Sequence, residues 1–226
     1  MMTKLSSSYL AAAFLALGVA SVAVTGCEDP AKGKAKATTS EPAVSATSLS
    51  ATGTPAATQG TVKYAFDQSA SKVSWVGSKV TGKHDGGFGT FKGTVDVVDG
   101  APEKSKVDVD ITADSLTSDS EKLTGHLKSK DFFDTTAHPK ATFVSTEIKK
   151  GGEKGATHTI TGNLTIKGIT KAVSFPATVQ LAGDTANVDA EFAINRRDFQ
   201  LNYAGIPNDL IRDEVVIKLS IRGKKS

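Results

Sequence analysis

The chain has 226 residues, a net charge of +3 and only 6% aromatic residues. Its basic residues do not interleave with a row of aromatics, so nucleic acid is excluded as a natural partner. One cysteine, Cys27, rules out an internal disulfide and a cysteine-rich zinc site.

In chain order, Met1–Lys4 gives a short basic start, and no charge follows between Leu5 and Gly26. The small residues of "SSSYLAAAFLALGVASVAVTGC" suit an export signal better than a membrane span. The ending "VTGC", Val24–Cys27, resembles the bacterial lipoprotein signal. That resemblance implies cleavage after Gly26, lipidation of Cys27 and a membrane anchor without a spanning helix. The absence of Asp directly after Cys27 points to the outer membrane, with the protein in the cell envelope facing the periplasm.

Residues 1–26 are thus expected as signal peptide and 27–60 as the acylated cysteine and a disordered linker. The segment from Glu28 to Gly60 is rich in Ala, Thr, Ser, Pro and Lys and has no aromatic residue. Such a segment cannot bury enough surface to offset its chain entropy. As a coil it would span roughly 30 Å.

Residues 61–226 form one domain with a repeated period of two. "TVKYAFD" sets Val62, Tyr64 and Phe66 on one face; "FKGTVDVV" does the same with Phe91, Val95 and Val97. "KVDVDIT" alternates Val107, Val109 and Ile111 with aspartates, and "THTITGNLTIK" sets His158, Ile160, Leu164 and Ile166 against threonines. "AVSFPATVQL" presents Phe175 and Val179, "NVDAEFAI" presents Phe192 and Ile194, and "EVVIKLSIR" continues the pattern. With "SKVSWVGSKV" and "ATFVSTEI" there are nine candidate strands, which predicts an all-β antiparallel sandwich or closed barrel. Pro176 marks its strand as bulged or near an edge. Three Tyr and one Trp are too few for the two girdles of a transmembrane barrel, so the apolar face points inward.

"SDSEKLTGHLKS" breaks the alternation. Ser118 and Glu121 have capping-box spacing, which predicts a helix over about 119–128. Phe132 and Phe133 follow, so "HLKSKDFFDTTAHP" reads as a lid closing one end, with His126 and His138 as its hydrogen-bonding partners. The twenty residues 195–214 form a second long connection. Arg196 and Arg197 there could grip an anionic headgroup. The alternative, favoured for Arg196, is pairing with Asp198, Asp131 or Asp134 to pin the loop. No HxH or HExxH spacing exists, which predicts no metal site, and no nucleophile is placed beside a base, which predicts no enzyme.

From about Tyr64 to Ile221, the chain resembles the YceI-like family of exported polyisoprenoid-binding proteins. The carrying stretches are "GKHDGGFGTFKG", "HLKSKDFFDTTAHPKATFVST", "ITGNLTIKGITKAVSF" and "INRRDFQL" followed by "DEVVIKLSI". Gln200 stands where the family usually has glycine, and the Arg-Asp often found before His126 is missing. The resemblance implies an eight-stranded lipocalin-like barrel, with a short helix closing one end, around a tunnel for an isoprenoid chain. The expected lining is Val95, Val109, Ile111, Phe132, Phe133, Ile160, Leu164, Phe175, Val179, Phe192 and Ile194, with His126, Arg196 and Arg197 at a polar mouth. The expected function is non-catalytic carrying or sensing of such a lipid, with no cofactor and with a second copy of the chain as a candidate partner. The alternative is a structural or partner-binding envelope protein with a filled core.

Overall fold

The computed structural model describes residues 28–43, 60–207 and 209–226. The expected signal peptide, Cys27 and residues 44–59 lie outside the described residues. The strands are β1 (Ala35–Lys36), β2 (Thr38–Ser40), β3 (Thr61–Asp67), β4 (Lys72–Lys79), β5 (Gly82–Phe88), β6 (Phe91–Val98), β7 (Ala101–Thr112) and β8 (Leu116–Ser118). After helix α1 (Glu121–Lys128) come β9 (Lys140–Lys150), β10 (His158–Ile166), β11 (Ile169–Ala182), β12 (Thr185–Asn195), β13 (Gly205–Ile206), β14 (Asp209–Leu210) and β15 (Glu214–Lys225).

Eight of these strands close into a ring, in the order β3-β6-β7-β9-β10-β11-β12-β15 and back to β3. Every ladder in the ring is antiparallel. β15 makes the closure. One edge pairs with β12 along Glu214–Lys224, while the other meets β3 at Lys224 and Lys225 and β4 at Val216–Ser220. From that upper part of β15, the ribbon β4-β5-β8 extends the wall toward one end, called here the mouth. The period-two residues point inward as alternation requires. Val95, Val97, Ile160, Val173, Phe175 and Phe192 are all buried.

α1 starts two residues later than the sequence predicts. Its cap is Ser120, whose side chain accepts from Leu123 N–H at 3.4 Å, while Ser118 Oγ accepts from Ser120 N–H. Pro176 sits between the part of β11 that pairs with β2 and the part that pairs with β12. That edge of β11 has no ladder partner at 176 among the described residues, so the missing N–H forfeits no bond.

The expectation of a wholly disordered 28–60 linker is corrected for its first part. β11 and β12 pair only through Thr178–Ala182 and Thr185–Asp189. Above that they part, and the N-terminal segment fills the gap. β1 runs parallel to β12 at Phe192 and Ala193, and β2 runs antiparallel to β11 at Ala172–Ser174. This strap turns at Gly33, whose φ of +73° favours glycine. Ala31 is buried against Val76, Ala193 and Val216 on the outer face, while Ala35 is 4% exposed. Lys34 pairs with Glu191 at 2.9 Å and Lys36 with Glu214 at 2.5 Å. Composition misjudges the segment because its order comes from two strand edges that need ladder partners, not from apolar side chains of its own.

Candidate functional site

The barrel interior holds two adjoining chambers. The deeper one, about 160 Å³, is lined by apolar residues alone. The upper one, about 310 Å³, lies under the mouth against Trp75, Leu123, Leu127, Phe132 and Leu201. Phe88, Phe133, Ile166, Ile194 and Ile217 belong to both walls. Phe88 and Phe133 meet edge to face with centroids 6.3 Å apart, so this pair forms the waist between the chambers. A larger depression of about 720 Å³ lies across β3, β6, β7 and β9. Lys92, Asp108, Asp110 and Arg222 line it and it is open to solvent, so it is not an enclosed apolar site.

Nine of the eleven residues expected in the lining meet in the deep chamber: Val95, Val109, Ile111, Phe133, Ile160, Leu164, Phe175, Phe192 and Ile194. Phe132 lines the upper chamber instead. Val179 lines neither; it packs against the core lower down, paired with Val188. Phe143 and Phe175 are tilted at 5.8 Å, and Phe175 stacks on Phe192 at 4.3 Å, giving the deep chamber an aromatic wall.

The mouth is built from side chains bonded to loop backbone. Arg196 is 4% exposed and opens the 3-10 turn Arg196–Phe199. Its guanidinium donates to the carbonyls of Leu201, Arg212 (3.1 Å) and Ile211 (3.3 Å) and to Asp213 Oδ1 (3.1 Å). Burial pushes its pKa down and Asp213 holds it up. The headgroup role considered for Arg196 is therefore corrected, because its donors are committed to the loop. Its carboxylate partner is Asp213, not Asp198, Asp131 or Asp134. Arg197 is half-exposed, and its Nε donates to the same Asp213 oxygen at 2.6 Å. Asp198 instead accepts from Thr39 of the strap at 2.5 Å, tying the strap to this turn.

His126, on α1, hydrogen-bonds Asp131 at 3.0 Å and sits edge-on to Phe132 and Tyr203, so it holds the lid together outside the cavity wall. His138 lies against Gly168 at the β10–β11 turn. His158 is buried toward the opposite end; its Nδ1 bonds Thr157 Oγ1 at 2.8 Å, and its Nε2 faces Glu103 at 3.8 Å, beyond hydrogen-bond reach. Among the described residues no group of three His, Cys, Asp or Glu could hold a metal ion.

Sequence reasoning missed Trp75 and His84. Trp75 stacks over Gly86, where a Cβ would stand 2.2 Å from the indole ring. The glycine-rich β5 thus makes room for the ring, a pairing invisible in alternation alone. Trp75 Nε1, on the upper wall, is buried with no hydrogen-bond partner among the described residues. His84 bonds Asp119 at 2.8 Å, which holds that carboxyl below its usual range.

A YceI-like domain is matched over residues 64–222, more than half of the chain. The chain belongs to the YceI-like domain family. A UPF0312 protein of Pectobacterium carotovorum is 38% identical over 51% of this chain and 62% of its own length. Another from Pseudomonas putida is 34% identical over 62% of this chain and 73% of its own. Among solved structures, BcnA of Burkholderia cenocepacia is similar with a TM-score of 0.61 and 29% identity, covering 70% of this chain and 98% of that one. A polyisoprenoid binding domain from Saccharophagus degradans shares the fold, with a TM-score of 0.57 and 16% identity over 73% of this chain and 99% of that one. The YceI-like closed antiparallel barrel with one short helix is therefore the architecture of this chain.

Proposed function

We propose that this YceI-like chain binds and carries one amphiphilic lipid of isoprenoid type in the bacterial cell envelope, without catalysis and held to a membrane through acylated Cys27. The observation that carries the reading is the deep chamber, whose wall is apolar throughout and continues past Phe133 into the upper one. Together the two volumes fall within the roughly 300–1,000 Å³ typical of small-ligand pockets. Each methylene buried there would contribute about 0.8 kcal/mol. Trp75 Nε1 would meet the ligand's polar end under the mouth, since a buried donor without a partner is costly. The resemblance to a polyisoprenoid binding domain supports the ligand class, and the "VTGC" stretch supports the anchor.

Trp75 is the sole tryptophan and lies in the upper wall, so it reports on the cavity directly. Titrating the delipidated chain with an isoprenoid alcohol should give a saturable change in its emission. No change up to the solubility limit of the alcohol would sink the proposal.

A further inference from the structure

We propose that the mouth end docks on a lipid bilayer, with the two hairpin tips that carry Val80, Ile206 and Leu210 entering the interface. The proposal rests on the Cys27 acyl anchor proposed above and adds an orientation to it.

Among the described residues these three are the exposed large apolar side chains, at 50%, 61% and 54% exposure. All three lie at one end of the barrel. Val80 caps the β4–β5 hairpin, Ile206 and Leu210 belong to the β13–β14 hairpin, and Val80 N–H donates to the Leu210 carbonyl at 3.2 Å. Ile211, the next residue, lines the upper chamber, so the tips stand on the rim of the mouth.

The strap brings the anchor to the same rim. Asp29 pairs with Arg212 at 3.5 Å, and Ala31 is buried beside Val76 and Val216. Cys27 precedes Asp29 by two residues, so it lies within about 7 Å of it along the chain. An acyl group on Cys27 therefore sets a bilayer against this end, whereas a free linker would let the barrel turn in any direction. Asp209 stands between the two tips, but its carboxylate is taken up by Lys79 and by Thr81 Oγ1 at 2.8 Å, so the aliphatic tips meet a neutralised pair that suits the acyl boundary of a membrane. Docked this way, the cavity opens toward the membrane, and a lipid passes between them without crossing water.

The test places p-benzoylphenylalanine at 206 or 210, and at 154 or 184 on the far end, in the full chain in bacterial cells fed radioactive phosphate. Phosphate labels phospholipid headgroups but not the acyl groups on Cys27. After irradiation, a labelled adduct sensitive to phospholipase is expected at 206 and 210, with none above background at 154 and 184. Equal labelling at all four positions, or adducts at the mouth with protein alone, overturns the proposal. Carbonate washing and labelled palmitate on Cys27 read the anchor separately. A chain that washes off and carries no palmitate ends the anchor reading and the docking with it. A chain that stays but crosslinks evenly ends only the docking.

Discussion

The two ends of the barrel are closed by different physics. At the far end, two-residue turns join β6 to β7 and β11 to β12, and those ladders run to their tips. Tyr64 OH donates to the Gly183 carbonyl at 2.9 Å, and Ala186 and Ile221 fill the space beneath. At the mouth the β10–β11 and β4–β5 ladders also reach their turns, but the long connections there leave the rest of the closure to α1, two phenylalanines, a 3-10 turn and the docked strap. A ladder shares its load over many backbone bonds, so single substitutions at the far end are absorbed. The mouth hangs on a few side chains, so substitutions there should be felt more and should free the loops locally.

The largest expected effect is at Arg196. Arg196→Met keeps the volume but removes donors from three loop carbonyls and from Asp213, which should cost about 3 kcal/mol. Tyr64→Phe at the far end should cost about 1 kcal/mol. Urea unfolding of the two variants checks the ordering, and equal losses would break the comparison.

Next comes the strap. Ala35→Asp puts a charge at a buried position in β1 and should undock the segment at a cost of about 2 kcal/mol. Trypsin should then cut after Lys34 and Lys36 at neutral pH while the barrel stays intact. In the wild type both bonds should resist.

Gln200 offers a smaller gain. It ends the 3-10 turn at φ 56°, ψ 29°, a left-handed conformation that costs a residue with a Cβ. Gln200→Gly should raise stability by up to about 1 kcal/mol, the strain relieved less the entropy glycine loses on folding. Thermal unfolding measures it.

The smallest effect is electrostatic. A hydrogen bond from Lys34 holds the Glu191 carboxyl below its ordinary value of 4.5, and Glu214 raises Lys36 above 10.5. The Glu191 contribution is present above pH 4.5 and is lost as pH falls through its lowered folded value. The Lys36 contribution is present below 10.5 and is lost as pH rises through its raised one. Once the pH dependence of intrinsic amide exchange is divided out, Ala37 N–H, which donates to the Ala193 carbonyl at 2.8 Å, should therefore be less protected at both extremes than at neutral pH. The barrel amides of β15 should change less.

Legibility in the sequence follows the same division. The far end and the deep chamber were readable because alternation assigns each strand residue a face. Val95, Val109, Ile160 and Phe175 all follow from it. Val179 has the right face but the wrong height, which alternation does not encode. At the mouth, positions depend on tertiary bonds. Nothing local tells that Arg196 will bond three carbonyls, that Gly86 clears space for Trp75, or that an Ala-Thr segment will complete the wall between β11 and β12. Those last contacts are set by the shape of a gap that exists only once the barrel has closed.

The central claim, that the apolar interior holds a lipid, is tested most directly at Val109 on the deep wall. Organic extracts of the purified wild-type chain and of Val109→Phe are analysed by mass spectrometry, and their thermal unfolding is compared after delipidation. With a true ligand chamber, the wild type yields an isoprenoid-type lipid, and the variant loses it without losing stability, because the new ring fills existing space. With a filled core, neither yields lipid and overpacking lowers the stability of the variant by about 1–3 kcal/mol; that result would contradict the account.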